Sequence, residues 1–368
     1  MNQNKKTRVL VVGERKRIVY RRFSSILSKE SAVKELFVLP NLDNPPFFIL
    51  RWFSLIKRFR EVLKTFKPNK VIICGDALIS MWIIVFLVKL FQLPIEIILF
   101  RYDIEHLRPF PKEFKVRFGH FVALRLEKFC FLKADKIIHK GLENELEFLP
   151  FYKKIKDKPH YLFREFLEPN LIQKYDPKKK LSAKDGEIHL VYVGSFYLEN
   201  LPYADSIWEF YPKMTRQKLH LHIYSKVDKK TENKLKEIGS KNSYFHYEGH
   251  RAHDSLIKEI SKYDYGSYLH VHNRAKIKAN YLLMFGFGNK VFDYFSAHIP
   301  FICSDDATAI VKFIDKYSVG LHIDYKKINV LKEKLEYNKK KYVKMIKNIE
   351  KATPELLNKK NFVKFVNS

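Results

Sequence analysis

The chain has 368 residues, 46% hydrophobic and 15% aromatic, and its 31 Phe and 21 Tyr exclude a disordered polymer and suffice for two domains. Lys and Arg number 69 against 40 Asp and Glu, a formal charge of +29, which points to an anionic partner: nucleic acid, a lipid headgroup surface or a phosphorylated small molecule. Cys74, Cys130 and Cys303 lie far apart with no CxxC pair, which excludes a disulfide scaffold and fits a reducing cytoplasm.

From the N-terminus, Arg8–Gly13 (RVLVVG) predicts a buried strand, and the four apolar residues before Gly13 are too few for a signal-peptide core. A strand at 35–39 follows. Trp52, Leu55, Ile56, Phe59, Val62, Leu63 and Phe66 then recur at helical spacing, with Arg51, Lys57, Arg58, Arg60 and Lys64 largely off that face. The strand 70–74 leads to the most apolar stretch, Ala77–Val88, continued past Lys89 to Leu93. This run is shorter than the about 20 apolar residues that span a bilayer, so it predicts a buried helix and no transmembrane anchor. Strand 95–100, a long helix at 115–132 and strand 136–139 complete a first series. Such alternation predicts a parallel sheet covered on both faces.

The stretch 152–187 is rich in Lys, Pro and Asp, and its second part, 166–187, is expected to link two domains. A second series then begins, with strands at 188–193, 219–224, 244–247, 265–270, 300–303 and 320–323 and a helix at 254–261. Residues 331–368, with 11 Lys and 4 Glu and a break at Pro354, predict a lysine-rich helical tail. The expected domains are thus 1–165 and 188–330, both Rossmann-like α/β units, with a binding cleft between them. Ligands in such sheets sit at the carboxyl ends of the strands.

Gly194 and Ser195 follow the first strand of the second series, where a glycine lets backbone amides approach a phosphate; an ordinary turn is the equal alternative. Gly13 stands similarly after the first strand, without a GxGxxG, and no P-loop occurs anywhere. In Phe285–Cys303 (FGFGNKVFDYFSAHIPFIC), Asn289 is placed to cap a helix whose first turn carries Lys290. Together they would face a diphosphate, while Asp293 would accept ribose hydroxyls and Val291, Phe292 and Phe295 would enter the core. A capped amphipathic helix with a surface lysine fits the same residues.

The segment NKVFDYFSAHIPFI resembles the "NKxxEYxAxGxPVI" stretch of GT-B-fold glycosyltransferases, the broad family 4-like group that builds bacterial and archaeal surface glycans. VYVGSF (191–196) resembles that family's opening strand and glycine turn, and YEGHRAHDSLIKEISKYDYG (247–266) its following strand–helix stretch. In the first half, FRYDIEHLRP (100–109) is similar to the family's loop after a strand, and RLEKF with KADKII (133–138) to its continuation. The resemblance implies an α/β GT-B fold, two Rossmann-like domains facing each other across a cleft. It implies donor contacts at Gly194, Ser195, Tyr224, His250, Asn289, Lys290 and Asp293, with His250 near the nucleobase. Asp103 becomes the candidate base for an acceptor hydroxyl, with Glu105 and His106 as nearby substitutes and Gly13 on the acceptor side. The family's first acidic residue is replaced by Met284, and Glu14, Arg15 and Lys16 stand where it has a glycine-rich loop.

The implied function is transfer of a sugar, hexosyl by type, from a nucleotide-diphosphate donor, UDP- or GDP-sugar, to a lipid-linked or glycan acceptor in surface polysaccharide synthesis. Inversion would use Asp103 as base; in a retaining reaction the leaving phosphate takes that proton. With Lys290 neutralising the leaving diphosphate and no suitably placed DxD, no cofactor and no metal are expected. The basic surplus suits a cytoplasmic enzyme peripheral to the anionic inner face of the membrane, with no nucleic acid as partner. A basic nucleic-acid-binding protein and a sugar-nucleotide epimerase on the same fold are the alternatives.

Overall fold

The computed structural model describes residues 7–14, 18–38, 48–74, 78–101, 104–107, 114–164, 167–194, 207–269 and 286–368. The chain divides into two compact units, Met1–Glu165 with Asn358–Ser368, and Phe166–Leu357.

The first unit runs β1 (Arg8–Glu14), α1 (Ile18–Leu27), β2 (Ala32–Val38), α2 (Phe48–Thr65), β3 (Lys70–Cys74), α3 (Leu78–Leu90), β4 (Glu96–Phe100), α4 (Phe114–Lys133), β5 (Lys136–His139) and β6 (His160–Leu162). Its six strands are parallel, in the order β2-β1-β3-β4-β5-β6. The all-apolar strand sequences follow from burial on both faces: Val9–Val12, Val71–Ile73 and Ile97–Leu99 are buried. Gly13 lies within β1, opposite Phe37, and pairing continues to Glu14, so it is a strand residue rather than a turn after the strand. β6 falls in the Lys- and Pro-rich stretch that reads as irregular. An edge strand makes one row of backbone bonds, and His160–Leu162 stays partly exposed, so it leaves no apolar run to find. α3 packs against α2 and α4 and buries Met81, Ile84, Val85 and Val88. Among the described residues no helix is long and apolar enough to cross a membrane.

The second unit runs α5 (Ser182–Asp185), β7 (His189–Val193), α6 (Ile207–Thr215), β8 (His220–Tyr224), α7 (Lys229–Lys241), β9 (Phe245–Gly249), α8 (His253–Ile260), β10 (Tyr265–Tyr268), α9 (Lys290–Ser296), β11 (Phe301–Ser304), α10 (Thr308–Tyr317), β12 (Gly320–Ile323), α11 (Leu331–Tyr337) and α12 (Lys339–Leu357). The strand order is β12-β11-β10-β7-β8-β9, all parallel. This is the doubly wound order of dinucleotide-binding sheets, with the reversal of direction between β7 and β10, where such sheets bind ligands. Leu190, Tyr192, Leu221, Ile223 and Phe245 point to one face and form a core with Met214, Leu235 and Leu331.

The expected linker is built into this unit: Leu167 and Leu171 are buried, the Gln173 amide donates to Ser296 O at 2.7 Å, and Leu181 N donates to Lys262 O at 2.9 Å. The lysine-rich tail does not stand apart. α11 and α12 bury Leu331, Leu335, Met345, Ile346 and Ile349 in the second unit, and α12 continues through Pro354 for its last turn. α13 (Lys360–Asn367) belongs to the first unit, where Phe362 is fully buried, stacked on Phe23 at 5.2 Å and edge-on to Phe163 at 4.9 Å. The lysines fall on the opposite stripe: Lys340, Lys344, Lys347, Lys360 and Lys364 are exposed.

Candidate active site

At the end of β7 the chain turns at Gly194 with φ +133°, in the region that favours glycine, and its amide donates to Tyr224 O at 3.1 Å. A Cβ on Gly194 would lie 3.4 Å from both Cε and Nζ of Lys290. The Lys290 ammonium therefore sits directly over this turn. It lies 4.2 Å from the ring centre of Tyr192 at the end of β7 and 5.1 Å from that of Tyr268 at the end of β10. The lysine thus bridges the two strands that flank the switch point, its charge held by two aromatic faces.

Tyr294 holds α9 in this position. Its hydroxyl accepts from Val193 N at 3.3 Å and donates to Ser267 O at 2.9 Å, tying the helix to β7 and β10. The ring covers Gly266, where any Cβ would overlap it, and at Gly288 a Cβ would come within 2.7 Å of the Tyr268 ring. Two glycines thus make room for the two aromatic residues that anchor and shield the lysine. Burial holds the Tyr294 phenol far above its ordinary pKa.

Asn289 precedes the first helical residue with helical backbone (φ −57°, ψ −31°), and its side chain makes no capping bond, contrary to the expected cap. Capping needs extended backbone at that residue to bring the side chain onto the next amides. Val291, Phe292 and Phe295 are buried as their spacing predicts. Asp293, one turn beyond Lys290, meets His253 at the start of α8, with Nε2 to Oδ1 at 2.9 Å. The sequence reading passes over His253. It singles out His250, which is exposed immediately after Gly249, itself left-handed at φ +76°. Tyr224 contributes its carbonyl to the Gly194 turn, but its side chain is buried and its hydroxyl bonds Tyr263 Oη at 2.8 Å and Glu259 at 3.1 Å. Ser195 lies outside the described residues.

In the first unit Asp103 also lies outside the described residues, but its flanks are held by Glu127 of α4, a fully buried carboxylate. Its Oε1 accepts from Arg101 Nε and from Glu105 N, both at 2.8 Å, and its Oε2 accepts from His106 N at 3.0 Å and contacts His106 Nδ1 at 2.7 Å. Burial alone would raise the Glu127 carboxyl, but the Arg101 charge and the His106 and Glu105 hydrogen bonds outweigh it and hold the group below its ordinary value. Glu105 contacts His120 Nδ1 at 3.1 Å. His106 has Nδ1 committed to Glu127, so Nε2 is its remaining ring nitrogen. The structure brings Gly194 and Lys290 together, and Glu105 with His106 around a carboxylate that no local sequence feature marks as central.

Residues 201–367 match the family described as the C-terminal domain of glucosyltransferase 3-like proteins. No curated protein matches the sequence. Among solved structures, the apo form of the lipopolysaccharide outer core galactosyltransferase WaaB superposes with a TM-score of 0.63 at 15% identity, over 98% of this chain and 99% of that one. HepE from Anabaena, solved with UDP-glucose, gives 0.61 at 9% identity over 98% of both chains. MnaA from S. aureus, solved with UDP, gives 0.55 at 12% identity over 92% and 90%. At such identities the superpositions establish the architecture, two Rossmann-like domains, and the family match lies in the half that carries Lys290. The chain thus has the two-domain GT-B architecture, and its residues 201–367 resemble the C-terminal domain of a glycosyltransferase family.

Proposed function

We propose that the protein transfers a hexosyl group from a nucleoside-diphosphate sugar to a lipid-linked or glycan acceptor in surface polysaccharide synthesis. The observation that carries this reading is the Lys290 ammonium beside Gly194, spanning the carboxyl ends of β7 and β10. A leaving diphosphate needs fixed positive charge where negative charge develops, and a lysine on two aromatic faces supplies it without reorganisation. Asp293, steadied by His253, would receive the ribose hydroxyls, and His250 would stand near the base. Because Lys290 provides the charge, transfer would need no metal at the donor. HepE with UDP-glucose and MnaA with UDP favour a uridine donor over a guanosine one. Asp103 would serve as acceptor base, in the segment that Glu127 anchors on both sides, with His106 as its substitute.

Membrane docking is part of the same proposal, and the first unit supports it. The neighbouring helices α2, α3 and α4, with the turn after α3, expose Phe53, Phe86, Leu90, Phe91, Phe118 and Phe121, and Arg125 lies 4.8 Å from the Phe121 ring. Aromatic residues among Lys and Arg suit an anionic inner leaflet, which would bring a lipid-linked acceptor to the enzyme.

The test is a panel of radiolabelled UDP- and GDP-sugars offered with membrane-extracted acceptors, with and without EDTA. Transfer that survives EDTA and is lost in Lys290→Ala and Asp103→Asn supports the assignment. Interconversion of free UDP-sugars without transfer would assign the protein to the epimerases, and salt-sensitive DNA retention without donor binding would assign it to nucleic-acid binding.

A further inference from the structure

The face of the second sheet opposite its apolar core carries an unusual set of side chains. His189 on β7 pairs in register with His220 on β8, and His222 on β8 pairs with His246 on β9. His189 stacks on His220 with ring centres 4.3 Å apart and planes 5° apart, and His222 stacks on His246 at 4.3 Å and 10°. His189 and His222 are buried, and the Tyr263 ring lies 4.4 Å from His222. Gly194 follows β7 five residues beyond His189, roughly 16 Å along an extended strand, so this cluster stands at the other end of the sheet from the donor residues.

Each of three imidazoles has one nitrogen against a carboxylate. His189 Nε2 lies 3.0 Å from Asp185, His220 Nε2 lies 2.6 Å from Glu187, and His222 Nδ1 lies 2.8 Å from Glu248. An ionised carboxylate only accepts, so each of these nitrogens carries a proton, and a ring with no second proton has its lone pair on the other nitrogen. The other nitrogens, His189 Nδ1 and His222 Nε2, are then both lone pairs, yet they face each other at 3.0 Å. Two lone pairs at that separation repel unless a proton or a metal cation lies between them. One ring nitrogen from each of His189, His220 and His222 falls within 4.8 Å of the other two, the one such group among the described residues. His246 Nε2 stands 2.9 Å from His220 Nδ1, next in line.

We propose that His189, His220 and His222 bind a divalent transition-metal ion, zinc by preference, as a brace between β7 and β8. Imidazole donors suit zinc, and Zn–N bonds of about 2.0–2.1 Å at tetrahedral angles put ligand nitrogens about 3.3 Å apart, close to the observed approach of His189 and His222. The carboxylates Asp185, Glu187 and Glu248 hold the rings in the tautomer that presents a lone pair, the arrangement in which histidine ligands are oriented by an acceptor behind them. The ion would link α5, β7, β8 and β9 and take no part in glycosyl transfer.

The experiment uses the full-length chain, stripped with EDTA and desalted, then titrated with Zn²⁺ and separately with Co²⁺. The expected result is one Zn²⁺ per chain, a higher Tm in its presence, and the ligand-field bands of four-coordinate Co²⁺. All three signals vanish in a His189→Gln, His222→Gln double variant and persist in His322→Gln, a partly exposed histidine elsewhere in the unit. Glu248→Gln, which keeps every imidazole, weakens binding by about 10- to 100-fold. A wild-type chain without stoichiometric zinc uptake and without cobalt bands overturns the site, as does a zinc affinity unchanged by the double variant. If the double variant does not fold, the wild-type cobalt spectrum and the Glu248→Gln affinity decide.

Discussion

Replacing Glu127 by Gln tests the anchoring of the 101–107 segment. The carboxylate is fully buried beside Arg101, itself 2% exposed, and accepts from the Arg101 guanidinium and the amides of Glu105 and His106. An amide in its place keeps the shape but removes the charge, leaving the guanidinium buried without a counter-ion, and turns an NH₂ toward donors on one side. Breaking a buried pair in this way costs about 3–5 kcal/mol. Urea unfolding monitored by the near-UV signal of the first unit should register that loss. A double variant, Arg101→Met with Glu127→Gln, should recover part of it, because the buried charge is gone, but not all, since two backbone amides lose their anionic acceptor. The pH dependence fixes the sign. The Glu127 carboxyl is held below its unfolded value of about 4.3, so its stabilisation is present above that pH and is lost as pH falls through the folded value. Glu127→Gln should abolish this acid-side contribution and leave a flatter curve. A Glu127→Gln protein within about 1 kcal/mol of wild type would refute the reasoning, since the penalty for an orphaned buried charge exceeds that.

Lys290→Ala should lower kcat/KM by about 10²–10³-fold in a donor-turnover assay, the range for removing one fixed electrostatic stabiliser, and destabilise the fold by only about 1–2 kcal/mol from the two lost aromatic contacts. Gly266→Ala places a methyl inside the Tyr294 ring, so thermal unfolding should show a loss of about 1–3 kcal/mol or more, with donor KM rising as α9 is displaced. His253→Ala should weaken UDP binding measured by calorimetry several-fold while leaving the fold intact, because His253 is partly exposed and its Nε2 meets Asp293. Phe91→Glu together with Phe118→Glu should reduce sedimentation with anionic vesicles, with turnover of a soluble acceptor unchanged; both side chains are exposed.

Much of the architecture was legible because a parallel strand covered on both faces must be apolar throughout. RVLVV, KVIIC, EIILF and HLVYV announce themselves in this way. β6 was not, since an edge strand escapes that demand. The tail's helices were legible, but its division between the units was not, because nothing local to Phe362 says that Phe23 and Phe163, hundreds of residues upstream, will stack on it. Likewise Val291, Phe292 and Phe295 were assigned to the core, whereas Tyr294 was not. Its hydroxyl is satisfied by Val193 of β7 and Ser267 of β10, partners that lie 101 and 27 residues away in the chain.

The side chains that sequence reading missed share one property: their partners lie across a register or a helix packing that local patterns do not encode. His250 and His253 sit three residues apart in one loop–helix junction, and only the meeting of α8 with α9 selects the second as the neighbour of Asp293. Glu127 looks like one charge among many on a long helix until Arg101, 26 residues away, is seen to enter beside it. The histidines were half visible. Period-two spacing places His220 and His222 on one face of β8, but only the register His189↔His220 and His222↔His246 makes four scattered imidazoles into a ladder. A sheet face meant for burial is normally apolar, and each polar group placed there costs free energy unless it is partnered. Three carboxylates answer that cost on the outer nitrogens, while on the inner side His189 and His222 turn acceptors toward each other. A proton or a metal cation between them would relieve that repulsion, and the zinc and cobalt titrations tell the two apart.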